Sequence, residues 1–245
     1  MRDYIERFER DASALVADEH YIQRLELRRG TSRTHWTREL RSDYVLVKPA
    51  DTGPWLGYRD IFEVDGTPVR EREARLVELL TGTAPDSLAR AAAFARDGSR
   101  FNLGPERTVN TPTLPLQLIA RVNADRLRVR VPRNWERQET VSITFEERDR
   151  PTIVRTPDGH NVESRGTLTV RVADGAILGA QLYFRFMAER GRPEARMHVA
   201  YGPVAGVSVL VPARLSEELP MTEGDACGIA TYSNYRRFQT SARIR

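Results

Sequence analysis

Alternation of apolar and polar residues with a period of two recurs along most of this 245-residue chain. The period is typical of strands that bury one face, since successive side chains on a strand point to opposite sides. Turn signals such as Pro157-Asp158-Gly159 separate the alternating runs, which favours antiparallel pairing. From residue 126 onward the alternation predicts eight strands, at 126–131, 139–147, 151–156, 165–173, 176–188, 194–201, 206–215 and 227–238.

The first half of the chain mixes helical and strand spacing. Apolar residues three and four positions apart predict an N-terminal helix over 2–18, packed on the sheet through Phe8, Leu15 and Val16. A three-strand meander follows at 20–29, 35–48 and 55–64, and helical spacing returns at 69–80, 85–97 and 113–122. We therefore predict one α+β domain over residues 1–245. It consists of a long curved antiparallel sheet, forming an open or half barrel, with an N-terminal helix and a helical insertion after the third strand.

Charge and cysteine content exclude several functional classes. The formal net charge is +4, and a nucleic-acid binder normally shows a larger basic excess on one motif, so no nucleic-acid partner is predicted. The single cysteine, Cys227, excludes an intrachain disulfide. No two histidines lie three or four positions apart, and the HExxH, CxxC and Walker A motifs are absent, so no metal and no cofactor are predicted. The four histidines are His20, His35, His160 and His198.

The usual signatures of hydrolases are also missing. The GxSxG motif does not occur. Ser42-Asp43 and Glu146-Glu147 are neighbours on predicted strands, so the two side chains of each pair point to opposite faces. We assign no catalytic residue from the sequence. A hydrolase-type enzyme whose site is assembled from distant residues remains an alternative.

Apolar and aromatic residues on the second and third strands form the candidate ligand site. A curved sheet partly covered by helices would enclose a lipid or another apolar small molecule on this face. The same residues would also suit a sealed core, so an envelope module that binds another protein is a further alternative. The predicted ligand-binding residues are Trp36, Leu40, Tyr44, Tyr58 and Phe62.

A row of arginines is the candidate anion-binding site. Arg126, Arg128 and Arg130 alternate with Leu127 and Val129, so we expect the three guanidinium groups on one solvent-facing side, about 7 Å apart along the strand. An anionic membrane surface is the predicted partner. The alternative is a solvated outer face on which these arginines pair with glutamates of the strand at 139–147.

The last strand carries polar tips on both faces. Alternation predicts that Tyr232, Asn234 and Arg236 lie on the same face of this strand. Because one face must be buried and buried polar groups need partners, the strand indicates either a structural network or the lining of a wet pocket.

Several segments resemble a family of uncharacterised exported proteins common in acidobacteria: YIERFERDASALVADEHYIQ (4–23), WLGYRDIFEVDGTPVREREARLVELL (55–80) and ATYSNYRRFQ (230–239). The order of elements is also similar to the half-barrel of the periplasmic lipoprotein carrier LolA and its relatives. The resemblance implies a single domain and export to the periplasm, and it assigns no catalytic residue. Residues 1–4 lead directly into an amphipathic pattern without the apolar stretch of a signal peptide, as expected for a cytosolic protein or a mature exported domain.

Overall fold

One antiparallel sheet of eleven strands dominates the structure, a computed structural model. It describes residues 2–12, 15–47, 56–69, 96–105, 107–156, 159–186 and 194–237. The strands are β1 (Leu15–Arg29), β2 (Ser32–Val47), β3 (Leu56–Val64), β4 (Thr67–Pro68), β5 (Leu127–Arg130), β6 (Thr140–Glu147), β7 (Val162–Arg171), β8 (Ile177–Phe186), β9 (Ala195–Gly202), β10 (Val211–Met221) and β11 (Gly224–Arg237).

The strands follow one another across the sheet in the order β4-β3-β2-β1-β11-β10-β9-β8-β7-β6-β5. Each neighbouring pair is antiparallel, and the long β1 pairs with β2 on one side and with β11 on the other. The first and last strands therefore meet in the middle, while β4 and β5 form the two edges of an open sheet. The predicted long, open antiparallel sheet is confirmed.

One face of the sheet carries the main core. On β1 the inward residues Leu15, Ala17 and Tyr21 are buried, and their register partners on β2 are Leu46, Tyr44 and Leu40. The same alternation continues along β6 to β10, where Leu168, Leu182 and Val199 are among many buried residues that form one continuous cluster. We call this side the core face and the opposite, largely charged side the outer face.

Helix α1 (Arg2–Asp11) packs on the core face through Phe8, which is fully buried, and through Tyr4 and Ile5. The N-terminal helix is thus confirmed, but its predicted end at residue 18 is wrong. Leu15 and Val16 belong to β1, because both residues pair with β2 on one side and with β11 on the other. The backbone hydrogen bonds to two neighbouring strands outweigh the local preference for a helix that the spacing of apolar residues indicates.

A second set of elements, between β4 and β5, covers the core face. Helix α2 (Leu114–Leu118) buries Leu114, Leu116 and Leu118, and a 3-10 helix over Arg121–Arg126 follows it. The prediction of one helix over 113–122 is therefore only partly right. The predicted helix at 69–80 and most of the one at 85–97 lie outside the described residues, although 96–99 are helical.

Two of the strands predicted in the second half of the chain differ from the observed ones. The predicted strand at 151–156 is wrong, because this segment contains only an isolated bridge between Arg155 and Asn161. The predicted strand at 206–215 is β10, which begins at Val211 and runs to Met221. None of the described helices is long and apolar enough to cross a lipid bilayer.

Candidate functional site

The structure does not bring the five predicted ligand residues onto one face. Leu40 and Tyr44 point to the core face and are buried. Tyr58 is the register partner of Val45, so it points to the outer face, where it packs with Val16 and Val45 in a separate small cluster. The expectation that Tyr58 shares a face with Tyr44 is wrong. The β2–β3 register places Arg59, not Tyr58, beside Tyr44.

The other two residues of the set lie away from this pair. Trp36 lies on the same face of β2 as Leu40, but it is close to the β1–β2 turn, where 43% of the residue is exposed. Phe62 lies at a register irregularity between β2 and β3 and is half-buried. The core face beside Leu40 and Tyr44 is instead occupied by polar side chains.

These polar side chains form a network, which we call the polar cluster. Strands β1, β3 and β10 supply five of them, and the covering segment, residues 98–105 and 107–120, supplies three. The members are Glu19, Tyr21, Gln23, Arg59, Asn102, Arg107, Asn110 and Glu217. The strand members of the cluster are polar or charged although they point to the core face. Buried polar groups need hydrogen-bond partners, so these side chains must bond to one another.

Glu217 and Arg107 form the first buried ion pair of the cluster. Arg107 donates from Nη2 to Glu217 Oε1 over 2.5 Å and from Nε to both carboxylate oxygens over 3.1 and 3.2 Å. The Tyr21 hydroxyl also donates to Glu217 Oε1. Burial by itself raises the pKa of a carboxyl group, but the Arg107 charge and hydrogen bonds outweigh it and lower the pKa of Glu217. Glu217 is therefore ionised at neutral pH.

Glu19 and Arg59 form the second buried ion pair, with 2.6 Å between Oε2 and Nε. Ser42 donates to the same carboxylate oxygen over 2.6 Å. The Arg59 guanidinium lies 4.8 Å from the centre of the Tyr21 ring and donates from Nη2 to the backbone carbonyl of Asn110 over 2.6 Å. Burial opposes the Arg59 charge, but Glu19 raises the pKa of Arg59 well above its ordinary value.

Tyr21 and Asn110 join the two ion pairs. Asn110 donates from Nδ2 to the Tyr21 hydroxyl over 3.2 Å and accepts from Arg59 Nη1 over 3.2 Å. Burial and then the Glu217 charge raise the pKa of Tyr21 far above its ordinary value, so the phenol stays protonated. The Tyr21 ring lies against Gly228, where an added Cβ would approach the ring to 2.6 Å.

Two further contacts tie the covering segment to the sheet. Gln23 donates to Asn102 Oδ1 over 3.0 Å and accepts from the backbone N–H of Leu103 over 2.6 Å. The hydroxyls of Tyr44 and Thr113 lie 2.7 Å apart in a hydrogen bond. Gly57 leaves room for that bond, since an added Cβ there would lie 2.0 Å from the Tyr44 hydroxyl oxygen.

The space inside the polar cluster is small. A void of about 20 Å³ lies between β3 and the covering segment, and its lining includes Arg59, Ser99, Arg107 and Asn110. This volume and this polarity suit about one ordered water. Within the described part of the chain, no group of three or more His, Cys, Asp or Glu residues could hold a metal ion. The cluster is thus an anchor for the covering segment, because its charges face one another and not an open cleft.

The arginine row is only partly as expected. Arg128 and Arg130 lie on β5 and face outward, but Arg126 ends the preceding 3-10 helix and donates to the carbonyl of Pro151. Arg128 Nη1 lies 3.0 Å from Glu146 Oε1, and Arg130 Nη2 lies 3.9 Å from the same atom. The structure therefore contains the cross-strand pairing that was the alternative interpretation.

A shallow groove of about 210 Å³ runs beside these two arginines on the outer face. Its lining includes Arg165 and Tyr183, whose ring centre lies 4.4 Å from the Arg165 guanidinium. Arg165 is itself held by Glu194, with 2.5 Å between Nη2 and Oε2. The groove is open and lined by paired charges, so it differs from the enclosed apolar pocket that was expected.

Sequence reasoning missed the polar cluster. Its strand members, such as Glu19, Gln23 and Glu217, occupy inward positions of alternating strands, and that conflict between polarity and position was the available signal. Arg107 and Asn110 lie in irregular chain that carries no periodic pattern.

Of the comparisons with known proteins, the one with solved structures found similar chains. No family model matches the chain, and no curated protein gives a significant match. Among solved structures, it is similar to a putative outer membrane lipoprotein-sorting protein domain from Vibrio parahaemolyticus, at 9% identity and a TM-score of 0.42, with 98% of this chain and 92% of that chain covered. A DUF1329 family protein from Desulfovibrio piger gives 12% identity and a TM-score of 0.37, covering 100% and 93% of the two chains.

A LolA superfamily protein from Nitrosomonas europaea is similar at 13% identity and a TM-score of 0.35, with 99% of this chain and 95% of that chain covered. The LolA-like similarity expected from the order of elements is thus confirmed at low identity. The resemblance to the acidobacterial family stays a prediction.

Proposed function

We propose that this protein binds a lipid-type apolar ligand on the core face of its sheet and carries it without chemical change. The ligand would lie between the strands and the covering segment, in contact with Leu40 and Tyr44. We also propose that residues 1–245 form one domain, which the pairing of β1 with β11 supports, and that the protein is exported to the bacterial envelope, as the resemblance implied.

The observation that carries the proposal is the way in which the covering segment is attached. Among the described residues, no backbone–backbone hydrogen bond joins this segment to a strand. Side chains make the polar contacts instead, for example those of Gln23, Tyr44 and Tyr201, whose hydroxyl donates to the carbonyl of Pro112 over 2.9 Å. Movement of the segment away from the core face would therefore break side-chain contacts, among them the Arg107–Glu217 ion pair, but no strand ladder.

Opening is a necessary part of the proposal. The void inside the polar cluster is about 20 Å³, whereas sites for small ligands usually measure about 300–1,000 Å³. The closed form therefore has no room for an acyl chain at this place. Movement of the covering segment would expose apolar residues such as Leu114 and Leu116 together with the sheet beneath them. Apolar surface on both sides gives a lipid-type ligand the stabilisation that replaces the lost contacts.

A ligand that binds only the open form has an apparent Kd that falls as the open population rises. The Tyr44→Phe variant removes the hydrogen bond to Thr113 and leaves the ring in place. Loss of one buried hydrogen bond costs about 1 kcal/mol. We therefore expect the apparent Kd for a fluorescent fatty acid, cis-parinaric acid, to fall about fivefold in delipidated protein.

The matched control is Tyr235→Phe. The Tyr235 hydroxyl likewise makes one hydrogen bond, donated to the backbone carbonyl of Pro212 over 2.5 Å, but both residues belong to the sheet. Its removal should leave the apparent Kd unchanged. The proposal fails if the wild-type protein binds no fatty acid and releases no lipid in native mass spectrometry, or if both variants alter the Kd equally.

A further inference from the structure

The strand at one edge of the sheet lies in an unusually basic stretch of chain. Residues 121–137, which we call the β5 edge, comprise β5 and the 3-10 helices Arg121–Arg126 and Trp135–Arg137 on either side of it. The stretch contains six arginines and two carboxylates, Asp125 and Glu136. The arginines are Arg121, Arg126, Arg128, Arg130, Arg133 and Arg137. The net charge of residues 121–137 is therefore +4, which equals the formal net charge of the whole chain.

The β5 edge also holds most of the exposed large apolar side chains. Four of the seven such residues in the described part of the protein lie here. Val122 is 82% exposed, Val129 45%, Val131 48% and Trp135 40%. Exposed apolar residues scattered singly are common on protein surfaces, whereas four of them within one short stretch make that stretch the candidate for an interaction surface.

Two of the arginines are free to meet a partner. Arg133 and Arg137 are exposed and form no ion pair with any residue in the described ranges. Other charges of the stretch are engaged, since Arg128 pairs with Glu146 and Arg121 Nη1 lies 3.4 Å from Glu6 Oε1. Trp135 lies between these two arginines in the sequence, and Glu136, which is also exposed, offsets one of the two charges, so residues 133–137 keep one net positive charge beside an exposed aromatic ring.

We propose that the β5 edge docks on an anionic lipid membrane surface. Arginine side chains pair with phosphate groups, and basic residues near an anionic surface attract it additively. Tryptophan favours the headgroup region, and the three valines gain by burial beside the acyl chains. A nucleic acid would use the charge and leave the valines in water, so the combination of both features favours the membrane. The inference is independent of the proposed ligand.

Vesicle binding of the purified full chain tests the proposal. Phosphatidylcholine vesicles with and without about one third phosphatidylglycerol are compared by co-sedimentation at low and high salt. We expect binding to the anionic vesicles at low salt, because salt screens exposed charges. The Arg133→Gln/Arg137→Gln variant should bind them about tenfold to thirtyfold more weakly, since each basic residue contributes about fivefold.

The chain offers a matched control, Arg24→Gln/Arg214→Gln. Both arginines are exposed on the outer face without an ion pair to a described residue, and the net charge changes equally. They lie on β1 and β10, five or more strands from β5, which is about 24 Å or more. This variant should lose no more than about threefold in binding, through net charge alone.

The Val122→Ser variant distinguishes a membrane from other anionic partners, such as a nucleic acid. It should weaken vesicle binding about threefold and leave the salt dependence unchanged, because it removes only inserted apolar surface. Failure of the wild-type protein to bind anionic vesicles, or equal losses in the two arginine variants, would overturn the proposal. So would unchanged vesicle binding by Val122→Ser together with equally tight binding of the wild type to a short DNA duplex.

Discussion

Replacing Arg107 by methionine should reveal how strongly the polar cluster fixes the covering segment. The substitution keeps much of the side-chain length but removes three hydrogen bonds to Glu217 and two from Nη1, to the carbonyls of Leu103 and Pro105. Glu217 is 7% exposed, so its carboxylate would stay buried with only the Tyr21 hydroxyl as a strong partner. Breaking a buried ion pair on one side costs about 3–5 kcal/mol of unfolding free energy.

The pH dependence of that loss provides a second, more specific readout. In the wild type the pKa of Glu217 is lowered from its ordinary 4.5, so its stabilising contribution is present above about pH 4.5 and is lost as the pH falls through the lowered value. In the variant, burial without Arg107 raises that pKa. The penalty is then present at neutral pH and disappears as Glu217 takes up a proton. The deficit of the variant should therefore shrink on acidification.

Urea unfolding followed by circular dichroism at about pH 7.5 and about pH 5 measures both effects. In the double variant Arg107→Met/Glu217→Gln no unpaired carboxylate is left at this position, so most of the lost stability at neutral pH should return. Arg185→Met, at an exposed pair with Glu194, should cost under about 0.5 kcal/mol. A loss below about 1 kcal/mol in Arg107→Met at neutral pH, or a deficit that does not shrink at lower pH, would refute the reasoning.

Two other substitutions test the packing of the core face. Gly228→Ala places a methyl group 2.6 Å from the Tyr21 ring and should cost about 1–3 kcal/mol in urea unfolding, whereas Gly202→Ala meets its nearest atom only at 3.6 Å and should change little. Phe8→Ala removes a fully buried ring from α1 and should cost about 3–5 kcal/mol, while Glu6→Ala on the exposed side of the same helix should stay within about 0.5 kcal/mol. Equal losses within either pair would show that these contacts do not determine stability.

The strands were the most predictable part of the fold. Along β7 and β9 the buried residues alternate without interruption, and the predicted strands at 165–173 and 194–201 cover most of β7 and all but the last residue of β9. The boundary between α1 and β1 was less predictable. Residues such as Leu15 fit a helical face as well as a strand, and only the ladders to β2 and β11 decide between them. Long-range pairing is not encoded in a local pattern.

Register was the information that the sequence lacked, and a slip of one residue turns every side chain to the other face. Tyr58 and Tyr44 seemed to share a face only because the offset between β2 and β3 was unknown. The last strand shows the same effect within a single element. Asn234 adopts a left-handed backbone conformation with φ of 51°, where the pairing of β1 with β11 is irregular. Tyr232 therefore faces the core, while Arg236 turns outward to Asp18.

The polar cluster could have been suspected from strand periodicity but not assembled from it. Glu19, Gln23 and Glu217 interrupt apolar faces, and a charged residue at an inward position requires a partner. Their partners lie far away in the sequence: Glu19 pairs with Arg59, 40 residues away, Gln23 bonds to Asn102, 79 residues away, and Glu217 pairs with Arg107, 110 residues away. Asn102 and Arg107 come from irregular chain without a periodic pattern, so only the folded structure shows which of the remote polar groups meet these three.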